Sequence, residues 1–123
     1  MFTLDTNCLI YYFKGEKKIV ELLQKLISEN TALFISIVTK VEILSYPEIT
    51  AREIEIFNEI MKNIILIDFD DKLSNFVIEI KRKYKLKLPD AVIGATALYT
   101  NSTLITRNLK DFSKIKELKI LFI

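Results

Sequence analysis

Acidic residues recur in this chain beside apolar segments. Phe2 to Leu4 reads as a short buried strand, yet Asp5-Thr6-Asn7 interrupts before the apolar run resumes at Cys8, Leu9 and Ile10. Glu42 lies in SIVTKVEIL, Asp90 in LPDAVIGATAL, and Asn108 with Asp111 in LITRNLKDF. The chain contains no histidine, which excludes His-based nucleophile triads, His general bases and ordinary His-built zinc sites. Chemistry must then use carboxylates, hydroxyls, amides, Lys, Arg or Tyr. Clustered carboxylates repel, so at neutral pH they need a cation or must take up protons. With only oxygen ligands the natural ion is hard, Mg²⁺ or Mn²⁺. Such an ion supports phosphodiester hydrolysis by lowering the pKa of a bound water, orienting it and offsetting charge on the phosphate.

Each acid also has a structural explanation. Asp5 can be an N-cap, and Thr39 and Glu42 have the S/T-x-x-E capping-box spacing. Asp90 can complement a helix dipole, and Asn108 can cap a turn containing Asp111. These roles account for local placement, but not for so many helix starts carrying acids beside apolar strand ends.

The elements that must position these residues alternate in type. After the first strand, Ile19, Val20, Leu22, Leu23, Leu26 and Ile27 show helical spacing, and Leu33 to Ile35 reads as a second strand. Val38, Val41, Ile43 and Leu44 predict a short helix that stops before Pro47, and Ile54, Phe57, Ile60 and Met61 another. Ile64 to Ile67 is the third expected strand, and Leu73, Phe76, Val77, Ile80 and Tyr84 mark a further helix. Pro89 suits the first turn of a small-residue helix over Ala91 to Leu98. Thr103 to Thr106 and Lys119 to Ile123 complete the strands. Apolar strands alternating with helices predict an α/β fold, a mostly parallel sheet covered by helices. In such sheets ligands sit beyond the carboxyl ends of the strands, where strand order reverses, and most of the acids fall at that edge.

Composition bounds the reading. A chain of 123 residues, half of them hydrophobic, with two Gly and two Pro, no repeats and no linker-like tract, is expected to form one soluble domain over residues 1–123. No apolar stretch approaches a membrane span, nothing resembles a signal peptide, and the single cysteine, Cys8, cannot form an internal disulfide. These features favour a cytoplasmic location without membrane association. A formal charge of only +2 places any nucleic-acid role in local patches.

The blocks LDTNCLI, SIVTKVEIL, LPDAVIGATAL and LITRNLKDF, in this order, span nearly the whole chain. Together they resemble a PIN-domain ribonuclease, in particular the VapC-type toxins of bacterial and archaeal toxin–antitoxin pairs. The resemblance implies a three-layer α/β/α fold with a five-stranded parallel sheet ordered 3-2-1-4-5. It further implies Mg²⁺- or Mn²⁺-dependent endoribonuclease activity that inhibits translation or growth, a homodimer, and neutralisation by a cognate VapB-like antitoxin. Carried over by position, Asp5, Glu42 and Asp90 match the three main acids. Many relatives carry an acid where this chain has Asn108, so Asn108 and Asp111 are both candidates for the fourth role, with Thr6, Asn7 and Thr106 in support.

A carboxylate site repels RNA unless cations surround it, and phosphate contacts dominate nucleic-acid affinity. Arg107 and Lys110, beside the expected site, are the preferred phosphate contacts, positioning backbone rather than reading bases. Lys81, Arg82, Lys83, Lys85 and Lys87 precede Asp90 and are equally suited to solvated faces. In ILSYPEI, Leu44, Tyr46 and Ile49 suit either core packing or a groove for an antitoxin segment. Two rival functions remain. A phosphoacceptor receiver domain needs an acidic pair after the first strand, where this chain has only Asp5, and leaves Glu42 and Asp90 unexplained. A non-catalytic PIN-like module that binds RNA or protein is allowed by Asn108 standing in place of an acid.

Overall fold

The computed structural model describes residues 1–123. Its strands are β1 (Phe2–Leu4), β2 (Leu33–Ser36), β3 (Ile65–Ile67), β4 (Thr103–Thr106) and β5 (Ile120–Phe122). They form one parallel sheet in the order β3-β2-β1-β4-β5. Seven helices join and cover them: α1 (Thr6–Phe13), α2 (Lys17–Ser28), α3 (Ile37–Leu44), α4 (Ala51–Ile60), α5 (Asp71–Lys83), α6 (Leu88–Tyr99) and α7 (Leu109–Phe112). The fold is the expected three-layer PIN-like α/β/α arrangement. Helix α1 was not expected as a separate element: the apolar run after Asp5 is not a continuation of the strand but a turn into a helix.

The sheet carries a core on each face because successive strand side chains point to opposite sides. Leu4, Leu33, Ile35 and Ile105 pack with Leu9, Leu23 and Phe57 on one face, whereas Leu104 packs with Leu73, Val77, Ile93 and Phe112 on the other. Helix α6 carries three alanines and one glycine because it is sandwiched between the sheet and neighbouring helices. A Cβ added at Gly94 would stand 2.7 Å from Ile115 Cδ1. Helix α4 starts at a capping box made by Thr50 and Glu53, which fixes its entry.

Central strand β1 pairs with β2 on one side and β4 on the other, with Phe2 opposite both Leu33 and Thr103. The strand order therefore reverses at β1, and the crevice beyond its carboxyl end is where an open α/β sheet places a ligand. Asp5 is the first residue past that end.

Candidate active site

Asp5 is 4% exposed, and its backbone N–H still donates to the carbonyl of Ile105 at 3.2 Å, continuing the β1–β4 ladder by one bond. It stands at the N-cap position of α1, yet its side chain makes no capping bond. Its Oδ2 instead accepts from the buried Thr106 hydroxyl at 2.8 Å. The capping explanation fails here, since the carboxylate turns into the crevice. Burial pushes the Asp5 carboxyl above its ordinary range; the Thr106 hydroxyl pulls it back, and Asp90 and Glu42 push it up again.

Thr6 ties a second acid to the first. Its hydroxyl bonds Thr39 Oγ1 at 3.0 Å and donates to Glu42 Oε1 at 2.8 Å. Thr39 and Glu42 lie three residues apart on one face of α3. They form no capping box, because α3 starts earlier, at Ser36, whose side chain accepts from the Val38 N–H.

Asp90 sits in the first turn of α6 directly after Pro89, where the helix dipole favours its charge. Burial nevertheless raises its pKa, and Asp111 and Glu42 raise it further against the pull of Lys87. Asp5, Glu42 and Asp90, separated by tens of residues in sequence, line one cleft of about 500 Å³ together with Thr6 and the exposed Asn7.

Asn108 and Asp111 stand just beside this cleft rather than in its lining. Asn108 caps α7: its Oδ1 accepts from the Asp111 N–H at 3.2 Å and its Nδ2 donates to Asp111 Oδ2 at 3.1 Å. That bond, helped by Lys114, holds the Asp111 carboxyl below its usual range. Asn108 thus orients Asp111, and Asp111 is the one whose charge reaches Asp90.

The basic residues differ from expectation. Lys110 is exposed on α7 and free of ion pairs. Arg107 is not free: both terminal nitrogens donate to the Glu16 carboxylate, and its guanidinium carbon lies 4.5 Å above the centre of the Tyr11 ring. Lys14, overlooked in the sequence, lines the cleft. Its signal lay in the unrecognised helix, where Asn7, Ile10 and Lys14 share a face at i, i+3 and i+7. The far end of the cleft is apolar, with Ile10, Phe13, Ile43, Tyr46 and Ile49. Of the two readings of this stretch, core packing holds for Leu44, whereas Tyr46 and Ile49 line the cleft together with Ile43.

An open parallel sheet with an acid-lined cleft beyond its central strand defines the class of molecule. The profile of the PIN domain family matches residues 2–118, and the chain belongs to that family. Among solved structures, it is similar to a chain of a toxin–antitoxin complex from Klebsiella pneumoniae, 29% identical with a TM-score of 0.82, covering 98% of this chain and 96% of that one. It also superposes on VapBC2 from Rickettsia felis bound to a promoter DNA fragment, at 23% identity and TM-score 0.84, with 99% and 98% covered. DNA-bound VapBC from Salmonella typhimurium gives 23% identity and TM-score 0.81, with 98% and 96% covered. No curated protein sequence matches the chain.

Proposed function

We propose that the protein is a Mg²⁺- or Mn²⁺-dependent endoribonuclease and the toxin of a toxin–antitoxin pair, with residues 1–123 acting as a single PIN domain. The observation that carries this reading is the shared cleft of Asp5, Glu42 and Asp90, in which the Asp5 and Asp90 carboxyls are raised first by burial and then by neighbouring carboxylates. A divalent cation would offset the repulsion among these carboxylates. The donor set is all oxygen, which suits a hard ion. Mg²⁺ suits such a set because it binds through one or two carboxylates and fills its remaining positions with water and substrate phosphate. Asp5 and Asp90 would hold the ion, with Glu42 and Asp111 adding charge around it. When bound, it supplies Lewis acidity toward the phosphate and the attacking water.

The chain's own residues do the positioning. Thr106 keeps Asp5 oriented and favours its ionised form, Thr6 fixes one oxygen of Glu42, and Asn108 aims Asp111. Lys110 stands nearby as a phosphate contact. The apolar end of the cleft suits an amphipathic segment of a VapB-like antitoxin, a reading supported by likeness to the Klebsiella toxin–antitoxin chain. A homodimer belongs to the same reading; Phe76 and Tyr99, packed edge to face and exposed on α5 and α6, offer apolar surface to a second copy. No helix is long and apolar enough to cross a membrane.

The test is cleavage of a panel of structured RNAs by purified protein with Mg²⁺, Mn²⁺ or EDTA, beside Asp5→Asn and Asp90→Asn. Metal-dependent cuts lost in both variants support the nuclease. RNA binding without cuts by the folded wild type, with either metal, turns the reading to the non-catalytic module.

A further inference from the structure

The cleft is lined by four carboxylates, Asp5, Glu42, Glu53 and Asp90, and by a single cation, Lys14. Of the five ion pairs in the structure none involves Lys14, and its amine makes no hydrogen bond. A cation that borders a strongly acidic cleft yet pairs with none of its acids is available to an incoming anion. A polyanion entering this cleft meets like charge, and each cation brought to a phosphate offsets it and releases a counterion.

The turn that carries Lys14 is fixed from outside the cleft. Helix α1 ends with Lys14 N–H donating to Ile10 at 3.1 Å, and Gly15, at φ +72°, reverses the chain so that the Glu16 N–H reaches Tyr11 at 3.0 Å. That left-handed backbone is one glycine adopts without penalty. Glu16 then begins α2 without using its carboxylate as a cap. The carboxylate takes the Arg107 guanidinium, which also covers the Tyr11 ring. Arg107 directly follows Thr106, the residue bonded to Asp5. A bidentate pair is the strong, geometrically specific form of this contact. It joins the α1–α2 turn to the end of β4, and so joins the position of Lys14 to that of Asp5.

We infer that Lys14 is a substrate-phosphate contact of the cleft and that the Arg107–Glu16 pair is the clamp that holds it there. Arg107 is then a positioning residue, acting through Glu16 and the turn rather than by touching RNA. This inference rests on the nuclease reading for its substrate class.

The test measures binding of a fluorescent single-stranded oligoribonucleotide by anisotropy in EDTA across a salt series, so that binding is read without cleavage. Lys14→Ala should weaken binding by about fivefold to tenfold and lower the magnitude of the salt slope by roughly 0.7, the loss of one phosphate contact. Lys14→Arg should restore it, and Lys25→Ala, an exposed lysine on α2, should change nothing. Glu16→Gln is the sharpest variant because it frees the guanidinium. A clamp predicts weaker binding, whereas a direct Arg107 phosphate contact predicts tighter binding and overturns the positioning role. Adding Glu16→Gln to Lys14→Ala should cost nothing further; additive losses overturn the coupling. Unaltered affinity and salt slope in Lys14→Ala overturn the phosphate contact, as does a wild type that binds no RNA. A wild type that binds RNA through Lys14 but cuts none with Mg²⁺ or Mn²⁺ overturns the nuclease reading alone.

Discussion

Replacing Thr106 by valine removes one buried oxygen and two hydrogen bonds while keeping the shape of the side chain. The hydroxyl donates to Asp5 Oδ2 at 2.8 Å and accepts from the Asn108 N–H at 2.9 Å, and the residue is fully buried. A hydrogen bond to a charged group contributes about 1.5–3 kcal/mol, and the half-buried Asn108 N–H left without its acceptor costs at most the lower part of the roughly 1–3 kcal/mol of a buried one. Part of this is relieved when Asp5 takes up a proton, so the expected loss at pH 7 is about 2–4 kcal/mol. In a chain of this size that lowers Tm by roughly 10 °C. The pH dependence has a definite sign. Asp5 already titrates above its ordinary value in the folded protein, with burial the largest cause and Thr106 opposing it. Its ionised form is therefore the costly one, and stability falls as pH rises through the folded pKa. Without the hydroxyl that pKa moves higher still. The deficit should be largest at neutral pH and narrow as pH falls through the variant's folded pKa toward the unfolded value, leaving the Asn108 share. Urea unfolding at pH 7 and pH 4 measures both quantities, with Thr106→Ser as the rescue. A valine variant within about 0.5 kcal/mol of wild type, or a deficit equal at the two pH values, refutes the claim that this hydroxyl sustains the Asp5 charge.

Asp90→Asn should keep the fold, raise Tm in EDTA by removing a charge that burial and the neighbouring Asp111 and Glu42 disfavour, and abolish cleavage; thermal melts and RNA digests check the pair of outcomes. Mg²⁺ or Mn²⁺ should raise the wild-type Tm with increasing concentration, as mass action requires of a ligand bound by the folded state, and scanning fluorimetry should find the shift lost in Asp5→Asn. Thr50→Ala dismantles the capping box of α4 and should cost about 0.5–2 kcal/mol in urea. Cys8 is fully buried, donates to the Ile105 carbonyl, and has its thiol pushed up to about 12, chiefly by burial; maleimide labelling at pH 8 should follow global unfolding and be negligible in the native protein.

The strands were legible because each is a short apolar run bounded by polar or turn residues, and the parallel topology followed from their alternation with helices. Helix α1 was not, because TNCLIYYF lacks a polar face of its own. Its outer side lines the cleft or lies under other elements, so the periodicity that marks a surface helix is absent. Losing that helix also hid Lys14. The acids were found by their positions at strand and helix ends, but spacing alone could not separate a cap from an inward-turned carboxylate: Asn108 is a cap, whereas Asp5 stands at a cap position and points elsewhere. Nor could proximity in sequence reveal the engagement of Arg107, since its partner Glu16 lies 91 residues away.

The pairing of β1 with β4 also sets a timetable for biosynthesis. The hydroxyl that holds Asp5 is made 101 residues after it. At ordinary rates of chain elongation that interval is roughly 5–20 s. Until β4 emerges, the central strand has an open edge, the Asp5 N–H lacks its acceptor at Ile105, and the Arg107 that ties down the α1–α2 turn does not yet exist. A nascent chain therefore carries no assembled cleft until β4 has been made. A product truncated before β4 would expose an unpaired strand edge, a template for aggregation, and would lack the two β4-end contacts on which the geometry of the acids depends.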